Sequence, residues 1–134
     1  MEYWKDILGY EGYYQVSNYG RVRSLDRIVN HWKGGKQHKK GCIMKLKKNR
    51  RNYYYVHLAK CGTKKISYIH QLVAKTFIPN PNNYPCVNHI DENPMNNNVE
   101  NLEWCTFSYN NNYGTKIERQ RKTLLKTIQS KKKK

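Results

Sequence analysis

Apolar and polar positions in the first half of the chain alternate in short runs rather than in helical stripes. "YYQVSNYGRVRSL" sets two alternating segments, Tyr14 to Ser17 and Arg21 to Leu25, around Asn18-Tyr19-Gly20. Period-two alternation about such a triplet predicts a β-hairpin with Gly20 at positive φ. Trp4, Ile7 and Tyr10 are expected to pack on its apolar face. "NHWKGGKQHKKG", from Asn30 to Gly41, is polar, basic and glycine-containing, and predicts a mobile loop. "CIMKLKKN" and "YYYVHLAK" are two more strand-like runs, with "RRN" turning between them and "CGT" turning into "KKISYIH". From Tyr68 to Ile78 the period lengthens. Ile69, Leu72, Val73, Thr76 and Phe77 recur at helical spacing, and Pro79 and Pro81 end that helix. "CVNHI" and "LEWCT" then predict two strands separated by an asparagine-rich loop. "SYNNNYG" predicts a helix capped by Ser108 and ended by Gly114. In the tail, Ile117, Leu124, Leu125 and Ile128 share one face of a basic helix that closes on four lysines. The fold class is therefore α+β: small antiparallel hairpins, a strand–loop–strand–helix unit and a C-terminal helix.

Charge adds the partner. The 134 residues, a length suited to one domain with an appended arm, carry a formal net charge of +17. No Asp or Glu lies between Arg27 and Ile90, a span holding 14 Lys and Arg. The tail from Thr115 onward holds nine more Lys and Arg against one acid, Glu118. Such a field repels itself unless a polyanion neutralises it, and nucleic acid is the first candidate. Mean hydropathy is -1.03. No apolar run approaches the roughly 20 residues of a membrane span, and the N-terminus lacks the basic-then-apolar pattern of a secretory signal. Cys42, Cys61, Cys86 and Cys105 are too far apart for paired zinc thiolates. They are read as thiols of a reducing compartment.

The chemistry concentrates around His89. It follows Asn88 at the end of an apolar strand, and Asn101 and Asn110 come after it in the chain. A strand, a returning strand and a helix across them can bring Asn88, His89 and Asn110 to one place. On "HQLVAKTFIPNP", "VNHIDENPMNNNVENLEW" and "NNNYG", the chain resembles the HNH nucleases, whose core is the ββα-metal or His-Me finger, and more narrowly the phage and intron-encoded homing endonucleases. "WKDILGYEGYYQVSNYGRVRSL" is similar to the modular DNA-binding segment that often precedes that core. The resemblance divides the chain into residues 1–66, a basic β-hairpin DNA-binding region, residues 67–114, the nuclease core, and residues 115–134, a basic helical tail.

The resemblance implies a metal-dependent endonuclease that nicks or cleaves duplex DNA. His89 would be the general base, Asn88 and Asn110 would hold one divalent metal (magnesium, with manganese as the alternative), and Asn101 would brace the loop and the His ring through backbone hydrogen bonds. Asn88 stands where relatives often have Asp. Both implied ligands are then neutral, and little metal affinity is expected until a scissile phosphate completes the site. Asp91, the nearest carboxylate, is expected either to join the metal or to cap the loop. Arg21, Arg23, Lys45, Lys47, Lys48, Arg50, Arg51, Lys64 and Lys65 are the expected DNA contacts, directed mainly to phosphate. Binding that neutralises about 6 to 10 phosphates should weaken about 10³- to 10⁵-fold between about 50 and 200 mM salt. His70 lies beside the apolar stripe and is read as a packing residue. The implied setting is the cytoplasm of a bacterial or phage-infected host cell, with the protein a monomer or homodimer and no membrane or small-molecule cofactor involved. The competing reading is a non-catalytic nucleic-acid-binding protein that keeps the fold.

Overall fold

The structure, a computed structural model, describes residues 1–30 and 32–114. The basic helix expected from residue 115 onward lies outside the described residues.

The first sheet is β1 (Trp4–Asp6), β2 (Tyr14–Ser17) and β3 (Val22–Ser24), all antiparallel. The expected hairpin is present, and Gly20 has φ 86°. β1 is an added edge strand, too short for alternation to reveal. The expected mobile loop is instead partly ordered, and this is a correction. β4 (Arg27–Asn30) pairs with β5 (Lys36–Lys39), and Gly34 and Gly35 turn between them at φ 92° and 78°. β5 is exposed along its whole length. Backbone pairing and a glycine turn suffice for this arm, so it has no buried face for a hydrophobic pattern to reveal.

The third sheet is β6 (Lys47–Lys48), β7 (Tyr54–Lys60) and β8 (Thr63–Tyr68). The run expected as one strand from Cys42 is divided. Its start leans on β3, where Ser24 N–H donates to Cys42 O (2.9 Å) and Met44 N–H donates to Val22 O (2.8 Å). Only its end joins β7. Asn49 shapes the turn between β6 and β7: its Oδ1 accepts the N–H groups of Arg51 (2.9 Å) and Tyr53 (3.0 Å).

α1 (Ile69–Phe77) buries Ile69, Leu72, Val73 and Ala74, and Pro79 follows it as expected. Then come β9 (Cys86–His89), a 3₁₀ turn (Val99–Asn101), β10 (Leu102–Cys105) and α2 (Phe107–Asn112). β9 and β10 form their own antiparallel pair.

These small sheets share one apolar core. Val16 and Val22 from the first sheet, Leu58 from the third, and Ile69 and Val73 from α1 are fully buried, joined by Leu102 of β10. Burial of a side chain of this size stabilises by about 1.5–3 kcal/mol. Two polar bonds lock the layers. Tyr14 OH accepts from Ala59 N–H (3.1 Å), and the Trp104 indole N–H donates to Ile78 O (3.0 Å), tying the end of α1 to β10. None of the four cysteines is in a disulfide, and no helix among the described residues is long and apolar enough to cross a membrane.

Candidate active site

The β9–β10 register sets Leu102 opposite His89 and Glu103 opposite Asn88. Asn88 is 1% exposed. Its amide N–H donates to the Glu103 carboxylate (2.9 Å), which fixes the amide orientation. The Tyr109 phenol is held above its ordinary range by desolvation and then by that carboxylate. The other end of the Asn88 amide, Oδ1, is buried with no hydrogen-bond partner. An unsatisfied buried acceptor costs about 1–3 kcal/mol and calls for an explanation.

The loop after His89 is built by side chains that replace regular structure. Asn101 Oδ1 accepts from Asp91 N–H (2.9 Å), and its amide donates to Asp91 Oδ1 and to Asn96 O (both 2.9 Å). Asp91 in turn accepts from Asn93 N–H (2.8 Å) and the Asn96 amide (2.9 Å). The Asn96, Asn93 and Asn101 bonds, in that order, hold its carboxyl below the usual range. Both Asp91 oxygens are thus engaged by the loop, which answers the capping half of the expectation.

The loop is braced by Asn101, but the His89 ring is held by a different residue. His89 Nε2 lies 2.8 Å from Asn97 Oδ1. An amide oxygen only accepts, so Nε2 carries the proton in the neutral ring and Nδ1 carries the basic lone pair. Asn97 is itself buried. It is pinned by the N-terminal hairpin: Val99 N–H donates to Asn18 O (2.8 Å), and a Cβ on Gly20 would stand 2.9 Å from Asn97 Cβ. Asn97 lies in the stretch that the sequence marks only as an asparagine-rich loop. Nothing in the sequence distinguishes the one that turns towards the ring.

α2 is capped by Thr106, whose hydroxyl accepts from Tyr109 N–H (3.1 Å), rather than by Ser108, because the helix begins earlier than expected. Asn110 is its fourth residue and closes the first turn, its N–H donating to Thr106 O (3.0 Å). Tyr113 OH donates to Ile90 O (2.6 Å), tying the end of this helix to the end of β9. The result is a small cleft of about 40 Å³ bordered by Asn88, His89, Asn110, Glu92 and Tyr53. That is space for one ion with a water or two, since a single water needs about 10–15 Å³ of such room. A wider groove of about 500 Å³ adjoins it, also reaching Asn110 and Tyr53, with Arg51, His70 and Lys75 on its walls.

His70 packs behind the site. Its ring is 5.2 Å from those of Tyr53 and His89 and 5.9 Å from Tyr68, and its Nδ1 is buried without a partner. Desolvation, and then the neighbouring His89, lower its pKa to about 4. It is neutral at pH 7.

The donor set fits a hard cation. No cluster of three His, Cys, Asp or Glu occurs among the described residues, which disfavours a zinc-type centre. The orphaned Asn88 Oδ1 is an oxygen donor of the kind magnesium and manganese take.

The expected basic residues divide. Lys45, Lys47 and Lys64 line one groove on the third sheet, with Lys48, Arg50 and Lys65 exposed nearby, and Arg51 reaches the groove beside Asn110. Arg21 and Arg23 share a face, both lying over the Trp4 ring. Arg21 is ion-paired with Glu2, and Arg23 bonds Gln15 (2.6 Å). Lys75, on α1, was not among the expected contacts.

The chain matches the NUMOD4 motif over residues 2–59. It is 37% identical over 110 residues to an uncharacterised HNH endonuclease of Acanthamoeba polyphaga mimivirus, covering 82% of this chain and 29% of that one. It is 37% identical over 107 residues to the DNA endonuclease I-HmuI of Bacillus phage SP01, covering 80% of this chain and 54% of the relative. The solved structure of the HNH homing endonuclease I-HmuI, described for its DNA binding and cleavage, superposes with a TM-score of 0.65 at 34% identity, over 90% of this chain and 59% of that one. The chain thus spans about half or less of the length of these curated relatives. By these likenesses the chain resembles the HNH endonucleases over most of its length, and its strand pair and helix carry His89 between two amides.

Proposed function

We propose that this chain is a divalent-metal-dependent DNA endonuclease that nicks or cleaves duplex DNA with His89 as general base. The observation that carries this reading is Asn88, which lines a cleft with His89 and Asn110; its amide N–H is held by Glu103 and its Oδ1 is buried without a partner. A binding module gains nothing from the cost of an unsatisfied acceptor there. Asn88 and Asn110 are the residues that would hold magnesium or manganese, which supplies positive charge at the developing phosphorane and the leaving oxygen.

The chain's own groups do the rest. With its Nε2–H donated to Asn97, His89 takes a proton from the attacking water at Nδ1, a step worth about 10² to 10⁴ in rate. Asn97 holds the tautomer and ring plane, and Asn101 fixes the backbone from which the ring projects. Arg51 and Lys75, on the wall of the adjoining groove, meet backbone phosphates. Lys45, Lys47 and Lys64 extend that contact over the third sheet, with Lys48, Arg50 and Lys65 beside them. Arg21 and Arg23 add to it from the N-terminal hairpin, Arg21 less so because Glu2 already pairs it.

The test is nicking of supercoiled plasmid with magnesium or manganese by the wild-type chain and by His89→Ala. Metal-dependent nicking that falls at least about 10²-fold in the variant is expected. Absence of nicking by wild type, or equal nicking by both, would leave the non-catalytic reading. That reading has one observation in its favour, the neutrality of both amide ligands.

A further inference from the structure

Two neutral amides make a weak cation site, and three carboxylates lie close to this one. Asp91 sits within the loop, and the lining of the cleft does not include it. Glu103 holds the Asn88 amide from the paired strand β10, and the lining of the cleft does not include it. Glu92 alone of the three borders the cleft that Asn88, His89 and Asn110 share.

Glu92 reaches that place by an unusual backbone conformation. Its N–H donates to His89 O (3.0 Å), closing a tight turn directly after the strand, and its φ is 62°. The left-handed region favours glycine, and a long side chain there is strained. Such strain marks positions where a side chain is held for a purpose. The other end of Glu92 lies against Gly114, just beyond the helix that carries Asn110. A Cβ on Gly114 would stand 2.7–2.8 Å from its carboxyl carbon and oxygens. The backbone on one side and the missing side chain on the other give the carboxyl group its place beside the cleft.

We propose that Glu92 supplies the anionic ligand of the cation site, replacing the charge that asparagine at position 88 does not carry. This rests on the metal-dependent reading above and assigns its missing charge. One carboxylate and one scissile phosphate balance a divalent cation, with Asn88 Oδ1 and Asn110 as neutral oxygen donors. The site therefore still needs DNA for full affinity.

The test uses the full chain in a His89→Ala background, so that DNA stays intact, and follows Mn2+ uptake by electron paramagnetic resonance on a duplex oligonucleotide, with the duplex alone as the baseline. Glu92→Gln should weaken Mn2+ binding at least about 10-fold, the scale of loss when metal-site partners are removed. Glu92→Gly should weaken it as much while Tm stays equal or rises, because glycine suits the left-handed backbone at this position. A merely structural Glu92 would leave Mn2+ binding untouched in both variants. With His89 restored, high Mg2+ should rescue nicking by Glu92→Gln. Unchanged Mn2+ binding in both Glu92 variants, with loss in Asn88→Ala, would overturn the assignment and leave the nuclease reading standing. No Mn2+ uptake by the parent, with or without DNA, would overturn both.

Discussion

His70 makes the stability of this fold depend on pH in a calculable way. Its pKa is about 4 in the folded chain, against 6.5 for the ordinary side chain. Between these values the unfolded chain holds more protons than the folded one, so stability is lost as pH falls through that window. The full shift corresponds to about 3 kcal/mol, of which about 2 kcal/mol is already gone at pH 5. His70→Phe keeps a ring against Tyr53 and Tyr68 and gives up no bond at Nδ1, which has none. Urea unfolding at pH 7.5 and pH 5.0 reads the effect. With an m-value of about 2 kcal/mol/M, the wild-type midpoint should drop by about 1 M more than that of the variant. If His70→Phe loses as much stability as wild type between the two pH values, desolvation of this imidazole is not what sets the slope.

Two further outcomes follow from the loop. Asn101→Ala removes three hydrogen bonds and strands the Asp91 N–H and the Asn96 carbonyl, so a loss of about 3 kcal/mol is expected by thermal or urea unfolding; a loss below about 1 kcal/mol would mean that the brace is dispensable. Gly20→Ala puts a methyl group 2.9 Å from Asn97 Cβ at a backbone φ of +86°. It should cost about 1–2 kcal/mol and shift the His89 imidazole N–H resonance in NMR spectra, whereas an unmoved resonance would show that the hairpin does not reach the ring.

The elements that could be read in advance were those with a face to bury. Tyr14 to Ser17, Ile69 to Phe77 and Leu102 to Cys105 each carry an apolar period, and each folded as that period implied. The β4–β5 arm has no such face, and its polar, glycine-containing sequence looks the same whether paired or loose. That Asn88, His89 and Asn110 could meet was legible because a strand, its returning partner and a helix across them bring such positions to one cleft. The sequence pattern could not single out Asn97 or Glu92. Which asparagine faces a ring depends on a hairpin near the opposite end of the chain. A positive φ at a glutamate leaves no mark on hydrophobic pattern.

The contact between residues 18–20 and 97–99 has a consequence for inheritance and engineering. The first sheet and the β9–β10 pair share both that contact and one core. A joint placed between β8 and α1 would cut through both. A chimaera carrying the N-terminal sheet of one relative and the strand pair of another must match the hairpin turn to the loop it presses on, or lose the seat of its histidine.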